Sequence, residues 1–342
     1  MAVRVGVIGC GSIARHRHLP ELSANPNVKL VAVCDVNERT ANEMAEKFNT
    51  RAHTDYKELI NADDIDAILV LATNVTHASM SIEALQAGKH VLCEKPLALS
   101  VEEATRMIQT AEETGKYLMI GHNQRLVPTH IRAKEILKSG KLGKIHSFKT
   151  VFGHRGCEYW AVEKEATWFF DKKFAGLGCS ADLGIHKADL IRWLLEEEFA
   201  EVSSFVETQG KRNVNGDMIS VDDNMVALLK SRSGIIGTLT SSWTYATEDN
   251  GTTIYGEKGI MRIFDHAEYD LIIEVLDGPF EYHKISAMQT NSDQSDSGVS
   301  KLFIECILQN RKPEISAEEG LAALKIILAC HESSQTGTTV KL

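Results

Sequence analysis

The sequence predicts an α/β protein of two units: a doubly wound parallel sheet over residues 1–121, then an α+β unit with a mostly antiparallel sheet over residues 122–342. Three observations predict it. The chain has 342 residues, beyond the roughly 100–200 that one domain usually holds. From Val3 to Ile120, short β-branched runs alternate with amphipathic segments, the rhythm of right-handed strand–helix–strand crossovers that build doubly wound sheets. After Gly121 the rhythm changes to closely spaced strand candidates separated by short turns, the pattern of antiparallel pairing.

In the first unit, Val3–Ile8, Val28–Cys34, 66–71, His90–Cys93 and 117–120 are apolar runs suited to buried parallel strands. Helices are expected between them over 13–24, Glu38–Phe48, Tyr56–Ile60, 77–87 and Val101–Thr114. Asn25-Pro26-Asn27 ends the first, Gly88 and Gly115 stand where C-terminal glycines belong, and Ser100 with Glu103 forms a capping box. The second unit opens with a helix over Pro128–Lys138 and a strand over 144–152. The irregular stretch 153–178 follows, rich in aromatics; loops this long inside compact domains usually serve function. A helix over 179–195 precedes strands at 202–210, 224–230, 235–243, 252–255, 260–263 and Leu271–Val275, with Ser231-Arg232-Ser233-Gly234 as a hairpin turn. The serine-rich segment 289–297 reads as a surface loop, and helices near 299–309 and 317–334, able to pack back on the first unit, close the chain.

Composition excludes several classes of function. Apolar residues make up 43% and charged residues 25%, ordinary globular usage. A net charge of -10 without a long basic run argues against a nucleic-acid partner, which needs clustered Lys and Arg. Arg15-His16-Arg17-His18 is too short for that role, and its histidines lack nearby acidic or cysteine ligands, so no metal is expected. The seven cysteines are scattered without a CxxC pair, as reduced cytosolic thiols are. No run reaches the roughly 18 apolar residues of a membrane span, and a hydrophobic strand begins too early for a leader. A cytoplasmic protein with no membrane partner is therefore expected.

Gly9-X-Gly11-X-X-Ala14 follows a hydrophobic strand and opens a helix, the context that makes this pattern a dinucleotide signal. Gly9 permits the tight turn, Gly11 lets the backbone approach a pyrophosphate, and Ala14 allows close helix packing. The N–H groups of the helix start, around Ser12 and Ile13, face the phosphates. Asp35 ends the second strand, where a carboxylate accepts hydrogen bonds from the adenosine ribose and repels a 2′-phosphate. NAD is thus favoured over NADP, with Arg39 and Asn37 weighing the other way.

Two further segments carry proton-handling groups. Lys95 follows the strand His90–Cys93 at its carboxyl end, where open α/β sheets hold ligands, and Pro96 stiffens its turn. Asp182 and His186 stand four apart in a predicted helix, so their side chains share a face that Asp189 continues. An imidazole titrating near neutrality suits the removal of a hydroxyl proton while hydride leaves the same carbon, and a neighbouring carboxylate would orient the ring. Each residue also has a plain structural reading, as a solvated lysine or a polar helix stripe. Gly176, Gly178 and Gly184 point to close backbone approach beside the histidine.

These segments, in this order and over the whole chain, resemble the Gfo/Idh/MocA family, named for glucose-fructose oxidoreductase, inositol dehydrogenase and rhizopine catabolism. Gly88 through Ala98 is similar to that family's EKP segment, Gly178 through Asp189 to its DxGxHxxD segment, and Glu318 through Gly337 to its terminal helix. The resemblance implies an N-terminal Rossmann domain and a C-terminal domain whose open sheet mediates homo-oligomerisation, as a dimer or tetramer. It places Lys95, Asp182 and His186 in the catalytic group, with His186 as base and Lys95 stabilising alkoxide character. It places Thr73, Asn74, His77, Glu94, Lys95 and Asn123 along the cofactor. Lys95, Arg125, Asp182 and His186 fall at the substrate, a sugar, cyclitol or related polyol. Tyr159, Trp160 and Trp168 suit stacking on a sugar ring as well as packing in a core. The chain departs from the family at Leu177, inside a usual glycine run, and at Phe169, where an arginine is frequent. Two other activities remain open on the sequence: an NAD-retaining glycosidase acting by transient oxidation and elimination, and a non-catalytic dinucleotide sensor.

Overall fold

The computed structural model describes residues 2–285 and 296–342. The first unit contains strands β1 (Val3–Ile8), β2 (Val28–Cys34), β3 (Arg51–His53), β4 (Ala67–Val70), β5 (His90–Cys93) and β6 (Leu118–Ile120). All pair in parallel, in the order β3-β2-β1-β4-β5-β6. The order reverses between β1 and β4, so the carboxyl ends of β1, β4 and β5 open onto the crevice where such sheets bind ligands. β3 lacks an apolar run and lies on the half-exposed edge, which is why its pattern is not legible. Helices α1 (Leu19–Ala24), α2 (Glu38–Phe48), α3 (Tyr56–Ile60), α4 (His77–Gln86) and α5 (Val101–Thr114) cover the sheet. The helix expected over 13–24 is present and carries a wide π turn, Ala14–His18, before α1. Ser100 Oγ accepts the Glu103 N–H at 3.1 Å, while the Glu103 carboxylate reaches Leu99 N–H at 3.1 Å, one residue short of a reciprocal box.

Helix α6 (Pro128–Lys138) leads into the second sheet, whose strands are β7 (Ile145–Gly153), β8 (Phe199–Glu207), β9 (Asn224–Ser231), β10 (Ile236–Ser242), β11 (Thr252–Gly256), β12 (Gly259–Ile263), β13 (Leu271–Val275), β14 (Glu281–His283) and β15 (Val340–Lys341). They run in the order β14-β13-β12-β11-β7-β10-β9-β8-β15, antiparallel except for β7 beside β10. The sheet is thus mostly antiparallel, as expected, and the Ser231–Gly234 turn joins β9 to β10. β8 starts at buried Phe199, earlier than its polar residues suggest, and short edge strands β14 and β15 carry no pattern of their own. Along β9, Met225, Ala227 and Leu229 point into the core while Val226 and Leu228 stay exposed.

The short helix α7 (Lys172–Ala175) sits in the aromatic stretch; a second π turn, Ser180–Gly184, then opens helix α8 (Ile185–Leu195). Helix α9 (Val299–Leu308) packs on α1, β1 and β5, and helix α10 (Ala317–Thr336) spans α8, β8, α5 and β6. The two closing helices therefore bind the units together. Within the expected loop 289–297, residues 289–295 lie outside the described residues; Ser297 and Gly298 give their N–H groups to the Glu21 carboxylate. All seven cysteines are free and buried, and no helix among the described residues is long and apolar enough to cross a membrane.

Candidate functional site

The turn after β1 is built by steric necessity. Gly9 has φ +94°, and a Cβ there would stand 2.5 Å from the Leu71 carbonyl oxygen at the end of β4. At Gly11 nothing lies within 4 Å of that position, so its backbone faces open space in the cleft. Ala14 is fully buried, and Ser12 Oγ donates to the Trp160 carbonyl at 3.0 Å, joining the turn to the aromatic stretch of the second unit. Asp35 accepts the N–H groups of Cys10 and Asn37, both at 2.9 Å, so its carboxylate braces the turn from outside the cleft lining. Arg39 is held by Glu43 at 2.9 Å.

Beyond β4, Asn74 and His77 line the cleft while Thr73 only starts the turn, its carbonyl accepting the Thr76 hydroxyl at 2.7 Å. Asn74 Nδ2 donates to the Ala175 carbonyl at 3.0 Å, a second tie between the units. His77 is buried against the carbonyls of Pro96 at 2.7 Å and Ala72 at 3.2 Å, and burial pushes its pKa down. Glu94 is 6% exposed; its Oε1 meets His18 Nε2 at 2.9 Å and its Oε2 accepts the Lys95 N–H at 3.0 Å. Burial opposes ionisation there. The His18 hydrogen bond and the charges of His18, Arg17 and Lys95 outweigh it and hold the carboxyl down to about 2. Gly121 makes room for this carboxylate, since a Cβ would come within 2.9 Å of Oε1.

Lys95 crosses to the second unit. Its Nζ donates to Asp182 Oδ1 at 2.7 Å and to the Asp182 carbonyl at 2.9 Å, while Asp182 Oδ2 accepts the Trp243 indole N–H at 3.1 Å. This corrects the expectation that Asp182 orients His186. The π turn Ser180–Gly184 replaces the α-helical geometry assumed from the four-residue spacing, and both Asp182 oxygens are committed to Lys95 and Trp243. The glycines do mark close approach: a Cβ on Gly178 would overlap the Asp222 carbonyl, and one on Gly184 would stand 2.8 Å from Met225 Cε. Asp222 also accepts the N–H groups of Gly178 at 2.7 Å and Ser180 at 2.8 Å, which pins the start of the turn.

His186 lines the cleft with its ring 6.0 Å from Phe152 and 6.4 Å from His122, and its Nδ1 has no hydrogen-bond partner among the described residues. Burial first, then the positive charge of Lys95, push its pKa well below the ordinary value. The imidazole is neutral at neutral pH.

Three expected substrate residues fare differently. Trp168 lines the cleft, stacked on Phe169 at 3.9 Å. Tyr159 does not: it is 61% exposed and covered by the Arg155 guanidinium at 4.1 Å. Arg125 also points away, because the 3-10 turn Asn123–Leu126 aims it at α8 and α10, where it meets Asp189 at 2.6 and 2.8 Å and Glu319 at 2.6 Å. Asp189, expected on the histidine face, is thereby an ion-pair partner rather than a site group. Asn123 and Gln124 do line the cleft. Sequence reasoning missed Trp243, the His18–Glu94 pair, Arg17 and His122; only the placement of His18 beside a glycine turn hints at any of them.

The arrangement presents phosphate-seeking backbone at Gly11–Ile13, a buried carboxylate at Glu94, and a fixed lysine beside a neutral imidazole. A dinucleotide fits the open backbone at Gly11 and the cleft that runs from it to Lys95. Fold and site together define a pyridine-nucleotide oxidoreductase acting on CH–OH groups. The family model "Oxidoreductase family, NAD-binding Rossmann fold" matches residues 3–122, and the "GFO/IDH/MocA C-terminal domain" model matches residues 130–262. The chain belongs to the Gfo/Idh/MocA family, and its cofactor is NAD. It is 29% identical to myo-inositol 2-dehydrogenase of Thermotoga maritima over 99% of this chain and 98% of that protein. It is 32% identical to glucose-6-phosphate 3-dehydrogenase of Bacillus subtilis over 73% of this chain and 71% of that protein. A levoglucosan dehydrogenase solved with NADH and levoglucosan shares the fold at TM-score 0.87 and 22% identity, over 100% of this chain and 99% of that one.

Proposed function

We propose that the protein is an NAD-dependent dehydrogenase of a ring alcohol, a sugar, cyclitol or related polyol, with Lys95, Asp182 and His186 as its reacting group. When bound, NAD supplies the acceptor for the hydride of the substrate's CH–OH carbon. Two N–H groups of Lys95 are spent on Asp182, which leaves the third to aim at the substrate oxygen and stabilise its developing negative charge. Asp182, itself held by Trp243, sets that direction. His186, neutral because of its burial and the charge of Lys95, takes the hydroxyl proton on its ring; in reverse it returns it. Trp168 and Phe169 supply an aromatic wall for the apolar face of a ring.

The observation that carries this reading is the Lys95–Asp182 bond, which brings the two units together at the open end of the dinucleotide turn. The relatives named for inositol and glucose 6-phosphate, both ring alcohols, support the substrate class. The reading extends to a cytoplasmic homo-oligomer. The support for the oligomer is the outward face of the second sheet, where Phe205, Val226, Leu228 and Ile236 stand exposed on β8, β9 and β10. Incubating the protein with NAD and a panel of inositols and sugars should form NADH, read by its near-UV absorbance. Release of an aglycone from glycosides without net NADH would reject it.

A further inference from the structure

Five lysines and arginines are buried among the described residues: Arg17, Lys89, Arg125, Lys187 and Arg192. Four are satisfied. Lys89 donates to the carbonyls of Ala62 and Ile65, Lys187 to that of Asn250, and Arg125 and Arg192 share carboxylates at Asp189, Glu198 and Glu319. Arg17 is the exception. It is 6% exposed, makes no ion pair with any described residue, and its Nε is buried without a hydrogen-bond partner. Arg17 lines the same cleft as Lys95, Gln124 and His186.

The two carboxylates whose charge bears on Arg17 are Glu94 and Glu21, and both are spent elsewhere. Glu94 gives one oxygen to His18 and the other to the Lys95 N–H. Glu21 takes the N–H groups of Ser297, Gly298 and Ser300, capping α9. A buried guanidinium left without a partner is costly to the folded protein, and such a group in a cleft is kept when a ligand completes it. The pyrophosphate seat is at Gly11–Ile13, about one helical turn earlier along the chain. Arg17 shares the lining of the cleft with Lys95, Gln124 and His186.

We infer that Arg17 receives an anionic group of the substrate, so that the ring alcohol is a sugar acid or sugar phosphate rather than a neutral polyol. The planar fork of the guanidinium matches a carboxylate or a phosphate in two parallel hydrogen bonds. Gln124, whose buried side-chain oxygen meets no described residue, lines the same cleft. The inference rests on the proposed dehydrogenase reading for the identity of the cleft, but its test does not need turnover.

Calorimetric titration of the NADH-loaded protein with hexuronates, with hexose 6-phosphates and with their neutral parent hexoses reads it directly. At least one acidic sugar should bind tenfold or more tighter than its parent, the uronate and phosphate arms telling which anion is preferred. Arg17→Met should abolish that difference, and Arg17→Lys should keep part of it. Equal binding of acidic and neutral sugars by wild type would overturn the inference. So would an Arg17→Met protein that keeps the preference for acids, or one whose only defect is weaker NADH binding. If acidic sugars bind as expected yet no sugar yields NADH from NAD, the dehydrogenase reading fails and the anion site stands.

Discussion

The joint behind the cleft and the cleft itself are built from the same residue types to opposite ends. In the joint, Arg125, Asp189, Glu319, Arg192 and Glu198 form a continuous chain of ion pairs linking the 3-10 turn at Asn123–Leu126, α8 and α10. Both guanidiniums there end with raised pKa values; burial works against the charge, and the carboxylates more than repay it. In the cleft, Arg17 Nε, His186 Nδ1, Gln124 Oε1 and Trp160 Nε1 have no partner among the described residues. Buried polar groups are normally satisfied. Saturation marks the groups that tie the two units together, whereas the cleft keeps polar atoms that no described residue meets.

The largest expected effect separates the two regions by chemistry. Lys95→Met and His186→Ala should each lower turnover by roughly 10²–10⁴-fold, the usual worth of a positioned proton-transfer or charge-stabilising group. Binding of NAD, followed by fluorescence quenching, should stay near wild type; an undiminished rate for either variant would remove that residue from the reacting group. Arg125→Met should act on stability instead, costing about 3–5 kcal/mol in a denaturant titration because it leaves Asp189 buried and unpaired. A variant as stable as wild type but with a raised KM would return Arg125 to the substrate. The smallest effect concerns pH. With the His186 pKa held well below its ordinary value, kcat/KM for alcohol oxidation should stay level as pH falls through about 6.5 and decline only at lower pH. The same depression means the unfolded chain binds more protons below about 6.5, so ligand-free stability should fall as pH drops through that range, and His186→Phe should flatten the slope. An acid limb centred at 6.5 or above would contradict the neutral, buried imidazole.

Much of the first unit was legible because parallel strands buried on both faces write themselves as apolar runs. β1, β2 and β5 fall where those runs lie, and the glycine turn is readable because only Gly9 fits against Leu71. Edge strands β3, β14 and β15 were not, since half-exposed residues carry no such signal. The site was legible as a roster more than as a wiring diagram. Lys95, Asp182, His186, Glu94, Asn74 and His77 all line the cleft, yet a four-residue spacing could not reveal that a π turn separates Asp182 from His186. Nor could local sequence show Trp243, which reaches Asp182 from 61 residues away.

The sequence by itself determined the parallel sheet and the dinucleotide turn, because each follows from local sterics or periodicity; it was the family resemblance that grouped Lys95, Asp182 and His186. Tertiary structure alone decided the pairings: Asp182 with Lys95 rather than His186, Arg125 with Asp189 and Glu319 rather than with substrate, and Arg17 with nothing described. Partner choice in a buried site depends on distances between segments far apart in the chain and on which oxygens are already taken. That accounting exists only once the two units have closed on each other.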